Sequence, residues 1–171
     1  DKVFIVILSE GEEAKIIKNE KNPMRKSNAK QWAKLANCSL YKLFDFPDQK
    51  LDSVPQLEIV KKIEKVVEEI RPSIVYIHHP GDINLDHQIV AQTTLTAIRP
   101  MSKHNLKPEI RAFETPSSTD QAPMIGKYIF SPNYYVCITD QWDIKLKGLK
   151  IYSTELKKPP HPRSENAVEA L

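Results

Sequence analysis

Glycine is scarce here, with 4 in 171 residues, and none stands in a GxGxxG or GxxxxGK[ST] arrangement. A turn that cradles phosphate needs glycines to bring backbone amides close to the ligand, so the sequence argues against a nucleotide-using α/β enzyme. Cysteine is equally sparse: Cys38 and Cys137 lie far apart, each within an apolar run. That usage predicts reduced core thiols and a reducing, cytosolic setting, not a disulfide framework. No apolar run approaches the roughly 20 residues of a membrane span, and the opening KVFIVIL lacks a signal-cleavage pattern, so a soluble chain is expected. Finally, the 25 basic and 22 acidic residues are scattered, without the basic stripe that nucleic acid or an anionic membrane would select.

What is present is patterned as an α/β protein. The length suits one domain with a real core. Val3 to Leu8 is a continuous β-branched and apolar run, the mark of a strand buried on both faces. Ala29, Trp32, Ala33 and Ala36 share one face of a helix. Leu40 to Phe46 predicts a second strand, ended by Pro47 and Asp48. Ser53 and Gln56 have capping-box spacing ahead of a helix with its core stripe at Val60, Ile63, Val67 and Ile70. A strand over Ile74 to Ile77 and a helix over His87 to Ile98 follow. Shorter strands are predicted at Ile110 to Phe113 and Tyr134 to Ile138, and Asp140 is placed to cap a helix through Trp142, Leu146 and Leu149. The alternation predicts a Rossmann-like α/β fold, a mainly parallel sheet with helices on both faces. The start without Met and the helix-like ending Ala167 to Leu171 lead us to expect a fragment.

Chemistry concentrates in one place. Ligands of open α/β sheets gather outside the carboxyl ends of the strands. Of the three loops expected there (Ser9-Glu10-Gly11, Phe46-Pro47-Asp48 and His78 to His87), the last packs three His, two Asp and one Asn into ten residues, HHPGDINLDH. Imidazole and carboxylate are the usual ligands of Zn2+, and a catalytic zinc keeps three protein ligands and one open position. Asp86 stands where it could hold the second ring nitrogen of His87. In the competing structural reading Asp82 and Asp86 cap the following helix and the histidines are ordinary loop polars.

HHPGDINLDH after an Ile-Val-Tyr strand resembles the second signature of the PIG-L/LmbE-like N-deacetylases, a variable loop ending in Asp-His at a helix start. Further landmarks run in that family's order: Leu8-Ser9-Glu10-Gly11, the segment Phe46 to Asp52, Arg99-Pro100, Ser117-Ser118-Thr119, Phe130 to Asn133 and Pro160 to Ser164. The resemblance implies a single LmbE-like domain over residues 1–171. It also implies one Zn2+ in the intact site and hydrolysis of the N-acetyl group of an amino sugar, a glycoconjugate or a similar amide. His87 would be a metal ligand and Asp86 its structural neighbour, with Asp86, Asn84 and Asp82 the candidate catalytic residues and Arg25 and Asp48 substrate-binding. For Arg25 and Asp48 the alternative is an exposed helix-start arginine and a turn aspartate. No nucleic acid or membrane is expected as a partner, and an oligomer is compatible with the reading.

Two departures qualify it. No His-Pro-Asp-Asp occurs in the 171 residues, so two of the family's metal ligands and its general base are missing from them. Asn84 stands where well-studied members carry a His; an amide can donate to an oxyanion but cannot deliver a proton near neutral pH. Either His78, His79 or Asp82 would then take over proton delivery, or this branch works differently. The expectation is a zinc-dependent deacetylase in the intact polypeptide, inactive as this fragment. Its rival is a catalytically silent relative that keeps the fold and a sugar-sized crevice. His104 is expected to face solvent. Arg163, beside His161, could reach an anionic substrate group or lie on the surface.

Overall fold

The computed structural model describes residues 2–9, 11, 24–100 and 105–171. Glu10 and His104 lie outside the described residues. The chain divides into two compact units, Asp1–Gln49 with Pro132–Leu171, and Lys50–Ser131.

In the first unit strand β1 (Phe4–Ser9) runs parallel to β2 (Ser39–Phe46), and helix α1 (Met24–Leu35) connects them. A parallel pair needs such a crossover because a tight turn can only reverse the chain. Ala29 and Ala33 are buried on α1, as the spacing predicts. The helix gives way at Asn37, whose φ of 52° is a left-handed conformation that asparagine tolerates, and the Cys38 amide bonds back to the Ala33 carbonyl. Val3 and Phe4 were expected inside, yet remain 52% and 39% exposed; among the described strands β1 has the single neighbour β2.

Helix α4 (Trp142–Ile151) packs on α1. Gly148 makes this approach feasible, since a Cβ there would stand 2.2 Å from the Trp32 ring. Helix α5 (Glu165–Ala170) is capped by Ser164, whose hydroxyl accepts from the Ala167 amide. Three expectations fail here. Residues 134–138 form no strand; Tyr134, Tyr135 and Val136 are exposed, because β-propensity without a partner strand and a packing surface does not make a strand. Asp140 lies in a short 3-10 turn (Thr139–Gln141), and α4 begins at Gln141 without a side-chain cap. Cys137 is an exposed free thiol, not a core one, and Cys38 is partly exposed and also free.

The second unit opens with a 3-10 turn (Leu51–Ser53) and helix α2 (Gln56–Ile70), which buries Ile59, Val60, Ile63, Val66 and Val67. The capping box does not form. Pro55 occupies the cap position, leaving Ser53 too early in the chain, and its hydroxyl donates to the Lys50 carbonyl. Arg71, in a left-handed conformation, and Pro72 end α2. Strand β3 (Ile74–His78) then pairs in parallel with β4 (Glu109–Phe113), with His78 opposite Phe113. Helix α3 (Leu85–Ala97) lies between them in sequence and packs on α2 and β3. All four described strands are thus in parallel pairs, β1 with β2 and β3 with β4. No helix among the described residues is long and apolar enough to cross a membrane.

Candidate functional site

The loop from His78 to His87 leaves the carboxyl end of β3 and enters α3. It is held down at its start, where the His79 amide donates to the Phe113 carbonyl and the Asp82 amide to the His79 carbonyl. Gly81 admits the segment at residues 126–130, because a Cβ at that position would lie 1.8 Å from the Lys127 carbonyl oxygen. On the same side His79 Nε2 is 3.3 Å from the Tyr128 carbonyl oxygen, and the His79 ring meets Phe130 edge-on.

Asp82 is the centre of the arrangement. It is fully buried, and a buried carboxylate is tolerable only if hydrogen bonds replace its water. Oδ1 accepts from the Asn84 amide at 2.8 Å and from the Ser118 hydroxyl; Oδ2 accepts from the Thr119 hydroxyl at 2.7 Å. Burial pushes the Asp82 pKa up, but the bonds from Ser118, Asn84 and Thr119, with the nearby His87 imidazole, outweigh it and leave the group below the ordinary carboxylate range. His87 Nδ1 is 3.2 Å from Asp82 Oδ1, at ion-pair distance yet off the line of a hydrogen bond, so this buried nitrogen has no hydrogen-bond partner.

The face of the His87 ring is covered as well. His78 stacks on it with ring centroids 4.2 Å apart and planes at 19°, and His78 rests in turn on Phe113. Burial, followed by repulsion from His87, lowers the His78 pKa to about 4 against a smaller opposing pull from Asp82, so His78 is neutral at physiological pH. With Nδ1 turned to the buried carboxylate, Nε2 is the nitrogen His87 can offer to a ligand or a proton.

Asp86 and Asn84 do different work from that expected. Asp86, also buried, accepts from the Leu51 amide at 3.1 Å and so ties the first turn of α3 to the 3-10 turn before α2. The residue facing His87 Nδ1 is Asp82, four positions further back. Nor do Asp82 and Asp86 cap the helix: Asn84 does, its side-chain oxygen accepting from the Asp86 amide at 2.9 Å. That leaves the Asn84 amide NH2 as its free chemical function.

Asn84, Asp82, Asp86 and His87 all belong to the second unit, whereas Arg25 and Asp48 belong to the first. Arg25 donates to Glu155 at 2.7 Å, and the other oxygen of Glu155 accepts from Arg163 at 3.2 Å. Asp48 is buried in the turn after β2. Ser118 and Thr119 are the residues to which sequence reasoning assigned no role. They stand in a recognisable loop, but nothing in the spacing links them to a carboxylate 36 and 37 positions earlier. Among the described residues no three His, Cys, Asp or Glu side chains are gathered as a metal would require. By themselves, therefore, they do not fit the zinc that the resemblance implies.

A parallel α/β scaffold with its histidines and carboxylates on the loop after a strand defines a protein that places its site at the carboxyl ends of its strands. The comparisons make this specific. The PIG-L family, described as GlcNAc-PI de-N-acetylase, matches residues 1–98, and the chain belongs to that family. Two solved structures share its fold. One is GalB, the 4-carboxy-2-hydroxymuconate hydratase from Pseudomonas putida, with 21% identity and a TM-score of 0.68 over 88% of this chain and 66% of that one. The other is the conserved protein TT1542 from Thermus thermophilus, with 20% identity and a TM-score of 0.68 over 99% of this chain and 71% of that one. The chain therefore spans about two thirds of the hydratase's length. No match was found among curated proteins.

Proposed function

We propose that the polypeptide containing this chain is an amide hydrolase that removes an N-acetyl group from an amino sugar, a glycoconjugate or a similar small amide in the cytosol. The observation that carries the proposal is the His87 ring, fixed by a buried carboxylate on its edge and a neutral imidazole on its face, within the region matched by the de-N-acetylase family. Catalysis needs a reacting nitrogen held in one orientation, and packing of this kind supplies it.

In this reading His87 is the basic nitrogen of the site and Asn84 offers its NH2 to the developing oxyanion, a contribution of the kind that costs about 100-fold or more in rate when removed. Asp82 orients His87, and Asp86 secures the helix start that carries both. Arg25 and Asp48 are proposed to hold substrate hydroxyls. Zinc is not given a step, because the described residues do not gather a ligand set for it. The test is incubation of the purified protein with a panel of N-acetylhexosamines and their glycoconjugates, with detection of free amine and acetate. Release that disappears in His87→Ala supports the reading; retention of every acetyl group by the wild-type protein overturns it.

That the described residues gather no metal-ligand set supports a second reading, a relative that keeps the fold and binds a sugar without cleaving it. A hydratase on the same fold also shows that the scaffold alone does not choose the reaction. Saturable binding of the acetylated sugars without acetate release would select the binding module.

A further inference from the structure

The hydrogen bonds around Asp82 fix more than the identity of its neighbours. Thr119 Oγ1 accepts from the Thr115 amide at 2.8 Å, so its own hydrogen is free to go to Asp82 Oδ2. Oδ1 accepts from both the Asn84 amide and the Ser118 hydroxyl, the number of hydrogen bonds a carboxylate oxygen ordinarily accepts. Asp82 thereby accepts hydrogen bonds on both oxygens. The group that faces it at 3.2 Å is His87 Nδ1, a buried nitrogen without another hydrogen-bond partner among the described residues. A bare lone pair on Nδ1 would oppose the carboxylate's; a hydrogen there would be attracted to it.

We propose that Ser118 and Thr119 are positioning residues: by locking Asp82 as an acceptor they hold neutral His87 in its Nδ1–H tautomer and direct the free electron pair to Nε2. Which nitrogen of a histidine carries the proton is set by the bond the other makes, and here that choice is imposed from a loop more than 30 residues away in sequence. The inference deepens the proposed function, on which it rests for its chemical meaning, but it is tested without substrate turnover.

The test is a two-bond 1H–15N correlation spectrum of the 15N-labelled full chain, with the His87 signals assigned by their loss in His87→Gln. Expected for the wild type is a pyrrole-type Nδ1 and a pyridine-type Nε2. Asp82→Asn, which keeps an oxygen acceptor, should preserve that pattern. Asp82→Leu, and the double variant Ser118→Ala/Thr119→Val, should shift the population toward Nε2–H. A wild-type spectrum dominated by Nε2–H overturns the proposal, as does a pattern unmoved in the double variant. Should Asp82→Leu fail to fold, those two measurements still decide. The outcomes separate from the functional reading: the expected tautomer without acetyl release leaves the positioning intact and removes the hydrolase, and acetyl release with the wrong tautomer does the reverse.

Discussion

Asp82 in the second unit and Glu155 in the first each collect hydrogen bonds from distant parts of the chain, but in different solvents. Asp82 is fully buried and accepts from two hydroxyls and a backbone amide, with an imidazole nitrogen at ion-pair distance. Glu155 is 28% exposed and is gripped by two guanidiniums, Arg25 and Arg163. Formal charge would rank the second cluster as the stronger. Physical chemistry reverses the order, because water can replace a guanidinium at the partly exposed Glu155 but cannot reach the Ser118 and Thr119 hydroxyls left unpaired in the interior.

The largest effect expected from this contrast is in Asp82→Ala, which strands Ser118, Thr119 and the Asn84 amide together. Chemical denaturation should register a loss of about 3–5 kcal/mol; a loss below about 1 kcal/mol would place the site in solvent and abolish the distinction. Next comes pH. The folded pKa of His78 is lowered to about 4 from 6.5, so between these values the unfolded chain binds more protons than the folded one. Stability is then fully present above about pH 6.5 and drains away as the pH falls toward 4, by up to about 3 kcal/mol. A denaturation series from pH 7 to 4 should show this slope, and His78→Gln should flatten it. Asp82 adds its own loss only below the ordinary carboxylate range, because its folded pKa is lowered too.

A smaller effect sharpens the comparison from the side of packing. Gly148→Ala drives a methyl group into the Trp32 ring and should cost about 1–3 kcal/mol, read as a lower Tm. An unchanged Tm would mean that α4 can slide away from α1. Smallest of all should be the Arg25–Glu155 pair: a double-mutant cycle of Arg25→Ala and Glu155→Gln is expected to return a coupling under about 1 kcal/mol that fades with added salt. A coupling of several kcal/mol would make the first unit's cluster the equal of the second's.

The elements were legible where a local pattern dictates them. The apolar periodicity of α2 and the β-branched run of β3 need only their own residues, and both appear where expected. Reading failed where an outcome depends on neighbours. Tyr134 to Ile138 has the composition of a strand but joins no sheet among the described residues, and Ser53 has the chemistry of a cap but sits ahead of Pro55. At the candidate site, the loop was recognisable as ten residues rich in metal-type ligands, yet the expected neighbour of His87 and the expected caps of α3 were not the ones found. Asp86 was the adjacent carboxylate in sequence, and Asp82 is the adjacent one in space.

Composition, spacing and the HHPGDINLDH loop were sufficient by themselves for the α/β class, the parallel pairing and the family, and for placing His78 to His87 on the loop after β3. Each follows from local propensity or from a run of contiguous residues. Only the tertiary structure decided which carboxylate faces His87, that Asn84 caps α3, and that Ser118 and Thr119 complete the site. Those choices depend on burial, and burial is a property of what the folded chain brings together, not of any residue's place along it.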